Sequence, residues 1–140
     1  MRTLTKPLSL SLQYLPTLLR AGVVVIVFRL GLTALPYRKL KGWVPTPSGA
    51  PASDKRLWRM MWAVHHSARL VPGATCLTQA LAAQYLCAKA GHATRIRVGV
   101  TRKDDGGIGA HAWLMDQTRV LIGGRHEDLS QFARIADLGH

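Results

Sequence analysis

The apolar positions change rhythm along the chain, and each rhythm predicts a different element. Ala21 to Phe28 (AGVVVIVF) is apolar without interruption, and Leu18 and Leu19 extend it. One or two helices around Leu12 to Leu35 are expected there. Residues 45–53 carry three prolines, a glycine and two serines and predict a surface linker. Ser53 and Asp54 can cap a helix running to about Leu70. In it Leu57, Met61 and Val64 form one apolar stripe, with Trp58 and Trp62 beside it assigned to the core. His65 and His66 fall toward solvent or a domain seam. The breaker run Val71-Pro72-Gly73-Ala74-Thr75 ends this helix. A second follows from about Cys76 to Ala90, with Leu77, Ala80, Leu81, Tyr85 and Ala88 at helical spacing. Thr75 caps its start and Gly91 stops it.

From Thr94 the period becomes two. Ile96, Val98 and Val100 alternate with Arg95, Arg97 and Gly99, the pattern of a half-buried strand. Arg102 to Gly107 predicts a hairpin loop, Gly109 to Met115 a second strand, 116–118 a turn, and Arg119 to Ile122 a third strand ended by Gly123 and Gly124. The tail from Arg125 carries no pattern that assigns it. The fold class is α+β, with helices first and an antiparallel meander after them. The chain divides into an apolar, basic helical section (1–44), a linker (45–53) and a compact core (54–140), together one domain.

Charge adds to this picture. Nineteen Lys and Arg face seven Asp and Glu, a formal net charge of +12, and no acidic residue precedes Asp54. A field of that sign attracts acidic peptides, nucleic acid or an anionic membrane surface, and it also keeps a chain soluble. Arg20 and Arg29 bracket only eight uninterrupted apolar residues, against about 20 for a membrane span. The segment therefore reads as a buried or interfacial helix in a cytoplasmic protein, with loose membrane association as the alternative. Two cysteines make no disulfide framework. Eleven residues apart on one helix, they stand roughly 16 Å from each other along its axis. No Cys/His spacing typical of zinc occurs.

The two thiols differ in position. A cysteine in the first turn of a helix faces unpaired N–H groups and the positive end of the helix dipole, which favour a thiolate. The same groups can hold an oxyanion. Cys76 has this place; Cys87, three turns deeper, reads as buried and inert. A nucleophilic cysteine needs a base. His111, in Ala110-His111-Ala112-Trp113, lies on a predicted strand between small residues that leave room for the imidazole. On these facts alone, a buried thiol and a core histidine are the better explanation of the residues.

The order of the parts is more specific. A cysteine at a helix start, a strand, a Gly-rich loop and His-Ala-Trp together resemble the transglutaminase-like cysteine peptidase superfamily. The stretches Val71-Pro72-Gly73-Ala74-Thr75-Cys76-Leu77, Ala80-Leu81, Gly91, Arg97-Val98-Gly99-Val100 and Ala110-His111-Ala112-Trp113-Leu114 resemble the leader peptidase of lasso-peptide biosynthesis. So does the apolar helix leading to Leu35-Pro36-Tyr37-Arg38, and the resemblance runs from about residue 18 to 124. It implies N-terminal helices before a transglutaminase- or papain-like core, with the cysteine helix packed on an antiparallel sheet. It also implies a peptidase that cuts a leader peptide from its precursor through a Cys76 thioester, with His111 as base and no cofactor or metal. The freed amine then goes to a ring-closing macrolactam synthetase. Leader binding belongs to a small recognition domain in such systems. The first 50 residues read instead as apolar helix, so a separate leader-recognition protein is expected.

One departure stands out. The resemblance implies an Asp about a dozen residues after the histidine, and that place is Ile122-Gly123-Gly124. The turn at 116–118 puts these residues across from His111, with Gly123 at the triad position. Asp116, five strand residues away, lies roughly 16 Å from His111. Asp105 and Asp128, and with them Asp104 and Glu127, remain candidates for the third member, as does a backbone carbonyl or a water. Two other functions use the same residues differently. The Cys/His pair could pass its acyl group to an amine, as transglutaminases and arylamine N-acetyltransferases do. A non-enzymatic basic module would show aromatics interleaved with its cations. Here Arg95 and Arg97 alternate with strand core, and nucleic acid is not an expected partner.

Overall fold

The computed structural model describes residues 2–102, 105–117, 119–124 and 133–138. Four helices come first: α1 (Arg2–Ala34), α2 (Tyr37–Lys41), α3 (Asp54–Leu70) and α4 (Cys76–Lys89). Four strands follow: β1 (Arg95–Arg102), β2 (Ile108–Asp116), β3 (Arg119–Ile122) and β4 (Ala133–Leu138). They form one sheet in the order β3-β2-β1-β4, each neighbour antiparallel. The expected α+β class is therefore what the chain adopts. The three-stranded meander, however, is extended by β4, which returns to the free edge of β1 and pairs Ile96 with Leu138. The short α2, which follows Pro36, is likewise an element that the apolar pattern does not predict.

The core shows why these residues make these elements. α1 sends Ala21, Val25 and Phe28 inward, one turn or so apart. They meet Leu57 and Val64 of α3 and Leu81 and Leu86 of α4 in a single cluster. The sheet closes this cluster from the other side with Ile96, Ala112, Leu114 and Ile122. Alternation along β2 then sends Trp113 and Met115 to the opposite face, where Val120 joins them. The tryptophans of α3 depart from expectation. Trp58 and Trp62 stand exposed, because the buried stripe is narrower than three residues per turn. Each has found a surface partner: Trp62 packs on Tyr14, and Trp58 lies under the Arg119 guanidinium.

The connections are tied down. Residues 45–53 hold no helix or strand, and the Ser48 and Ala50 carbonyls pass over Gly91. A Cβ at Gly91 would stand 2.6 Å from the Ala50 oxygen, and φ there is +78°, so only glycine fits the end of α4. The Tyr14–Ala34 part of α1 is long and apolar enough to cross a membrane by length and composition. Only 22% of its most apolar stretch is buried against the rest of the chain.

Candidate active site

Cys76 is the first residue of α4, and the chain fixes that start twice. The Thr75 hydroxyl accepts from the Thr78 N–H at 3.3 Å, and the Thr78 hydroxyl accepts from the Thr75 N–H at 3.3 Å. This reciprocal box satisfies two N–H groups that a helix start leaves without partners. Thr78 is itself fully buried, so the box is locked from below. The turn before it is held from α1. Arg29 donates from Nε to the Pro72 carbonyl at 3.1 Å and also reaches Thr33. A Cβ on Gly73 would stand 2.4 Å from that guanidinium, so glycine lets the arginine lie flat on the turn.

The thiol then meets β2. The Ala112 N–H donates to Cys76 Sγ at 3.4 Å. Ala112 is buried, and its small side chain lets the end of α4 approach the strand this closely. His111 precedes it in sequence. Its ring stacks on Trp113, two residues on and on the same face, with centroids 5.8 Å apart. The His111 Nε2 bonds the Gly123 carbonyl just past the end of β3. A carbonyl only accepts, so Nε2 carries the proton in this bond and Nδ1 is the basic nitrogen of the neutral ring.

The family model of the transglutaminase-like superfamily matches residues 22–137 of this chain. The chain belongs to that superfamily. Its members are usually cysteine-dependent enzymes, among them peptidases and acyltransferases. No curated protein and no solved structure matches the chain at comparable stringency. The match covers the C-terminal part of α1, all of α2, α3, α4, β1, β2 and β3, and most of β4, so the transglutaminase-like core includes both Cys76 and His111.

Within this transglutaminase-like frame the other expected residues fall as follows. Gly123 does lie beside His111, but it is closed to a side chain. Its φ is +107°, and a Cβ would stand 2.6 Å from the Cβ of Trp113. The position of the implied acid is thus filled by backbone. Asp105 turns into its own hairpin loop, where its carboxylate accepts from the Gly107 N–H at 2.9 Å. Asp128, Asp104 and Glu127 lie outside the described residues. Asp116 belongs to a different assembly. It bonds His92 Nε2 at 2.8 Å and the Arg119 guanidinium at 2.6 and 3.1 Å, and Arg119 also reaches Asp54 at 3.2 Å. Burial alone would raise the Asp116 pKa, but the hydrogen bonds and charges of Arg119 and His92 outweigh it and hold the carboxyl below its usual range.

Cys87 contrasts with Cys76. It is buried, and burial, with the Asp116 charge adding to it, pushes its pKa up to about 12. Among the described residues no group of three His, Cys, Asp or Glu could hold a metal ion. Sequence reasoning missed Arg29, which it counted only as one cation among several. The apolar run around it gave no sign of a contact 43 residues away.

Proposed function

We propose that this transglutaminase-like protein is a cysteine peptidase that cuts the leader peptide from a lasso-peptide precursor. The observation that carries the reading is the Cys76 thiol at the start of α4, seated on the backbone N–H next to His111. In the proposed reaction the Cys76 sulfur, its proton taken by His111, adds to the carbonyl carbon at the leader–core junction. The tetrahedral intermediate collapses as the C–N bond breaks, and the imidazolium gives its proton to the leaving amine. Water, deprotonated by His111, then cleaves the thioester to leader carboxylate and free thiol. The Gly123 carbonyl serves as the third member, holding the ring by its Nε2 proton so that Nδ1 does the proton transfer. The resemblance of Val71 to Leu77 and Ala110 to Leu114 to leader peptidases supports this substrate.

A separate recognition protein would deliver the leader, and a macrolactam synthetase would take the freed amine. Purified protein, precursor and recognition protein, incubated together, should yield leader and core peptides, and Cys76→Ala should yield neither. Mass spectrometry identifies the acyl acceptor. A leader ending in a free acid supports hydrolysis, and a new amide would replace it with acyl transfer. Site-specific cleavage by the lone chain at full rate would remove the recognition protein from the scheme.

A further inference from the structure

α1 has two faces, and only one is used. Ala21, Val25 and Phe28 enter the core. On the opposite side Leu15, Leu19, Val23, Ile26, Val27 and Leu30 are exposed, three of them by more than 60%. At 100° per residue these six fall within a third of the helix circumference, with no charged side chain among them. They run roughly 22 Å along the axis. Trp43, also exposed, continues the stripe at its C-terminal end, where it lines an apolar groove with Val23, Val27, Phe28 and Tyr85. Soluble chains rarely leave so continuous an apolar strip uncovered.

Cations rim the strip. Arg38, Lys39 and Lys41 are exposed on α2, shortly before Trp43. On the flank toward α3, Arg20, Arg56 and Arg59 line one cleft together with Pro16 and Thr17 of α1. Among the described residues no carboxylate lines it, and the Arg59 Nε is buried there with no hydrogen-bond partner among them.

We infer that this face of α1 seats on an anionic lipid surface, with the helix lying in the interface plane. The strip enters the acyl boundary, Trp43 sits at headgroup level, and the two arginine and lysine groups take the phosphates. Charge selects this occupant over a second copy of the chain, since two molecules of net charge +12 would meet through it. Packing selects it over a membrane-spanning α1. A span would have to pull Ala21, Val25 and Phe28 out of the core that they share with α4, and would carry Arg20 into the hydrocarbon.

Vesicle co-sedimentation of the full chain tests this. Vesicles containing phosphatidylglycerol should bind it at least about tenfold more tightly than phosphatidylcholine alone, and added salt should weaken the binding. The double variant Leu19→Asp, Val23→Asp, at exposed positions, should reduce binding by about tenfold or more. The variant Arg38→Gln, Lys39→Gln, Lys41→Gln leaves the helix untouched and should do the same, so a folding defect in the first cannot hide the result. Absence of vesicle binding would overturn the inference, as would binding that the Asp variant retains in full. A dimer dissolved by the same Asp substitutions would assign the strip to a second copy. Carbonate-resistant membrane protein would assign it to a span.

Discussion

Cys76 and Cys87 share a helix and differ in everything that decides reactivity. Iodoacetamide at neutral pH should label Cys76 in the folded chain and spare Cys87, whose pKa stands at about 12 in its buried site. Peptide mapping after labelling reads this directly, and equal labelling of both thiols would contradict it. Under the proposed peptidase reading, Cys87→Ala leaves turnover intact, whereas His111→Ala lowers it at least about 100-fold. A well-folded His111→Ala protein cutting at near-normal rate would end the Cys/His assignment. At Gly123 the simple idea of restoring an acid fails on geometry. Gly123→Asp must push a Cβ into Trp113 in a left-handed backbone conformation. The expected outcome is a lower melting temperature and a disturbed His111 ring, with no gain in rate. A stable, faster Gly123→Asp enzyme would show that the strand end can open.

At the level of elements, the start of α4 depends on two hydroxyls that face each other. Thr75→Ala removes the cap and should cost about 1 kcal/mol, seen as an earlier thermal or urea transition. The far end of the sheet depends on Asp116. Its folded pKa lies below the ordinary value of about 3.9. It therefore contributes stability that is complete above that pH and fades as pH falls toward the folded value. Urea melts of wild type and Asp116→Asn should differ most near pH 7 and converge in acid, once pH has fallen past the lowered folded pKa. Curves that stay parallel throughout the acid range would mean the Arg119 and His92 contacts bring no preference for the ionised form.

Much of this was readable in the sequence where structure is local. The caps Ser53 and Thr75, the stop at Gly91 and the alternation from Ile96 to Val100 each act within a few residues, and α3, α4, β1, β2 and β3 stand within a residue or two of their expected bounds, whereas α1 begins at Arg2, well before the expected Leu12. What was hidden lies between distant residues. β4 has no strong alternation of its own and exists because the β1 edge accepts it. Trp58 and Trp62 look like core by hydropathy, yet Arg119 and Tyr14 hold them on the surface. The Gly123 carbonyl that bonds the His111 ring could not be found by scanning for acids, since a carbonyl belongs to every residue. For the molecule as a whole, α1 and α4 share one core, so shortening α1 should do more than remove an appendage. Phe28→Ala should cost about 3–5 kcal/mol, measured by urea unfolding. A loss below 1 kcal/mol would show that α1 is only loosely attached.

The bond from His111 to the Gly123 carbonyl has a consequence for how such a site changes over evolutionary time. A carboxylate partner can be erased by one codon change and titrates away in acid. An amide oxygen does neither. No substitution at position 123 deletes it, and it has no proton to gain within the range where proteins fold. Change at this site is therefore limited by shape: position 123 has no room for a side chain, and any mutation that adds one is felt through the position of the oxygen.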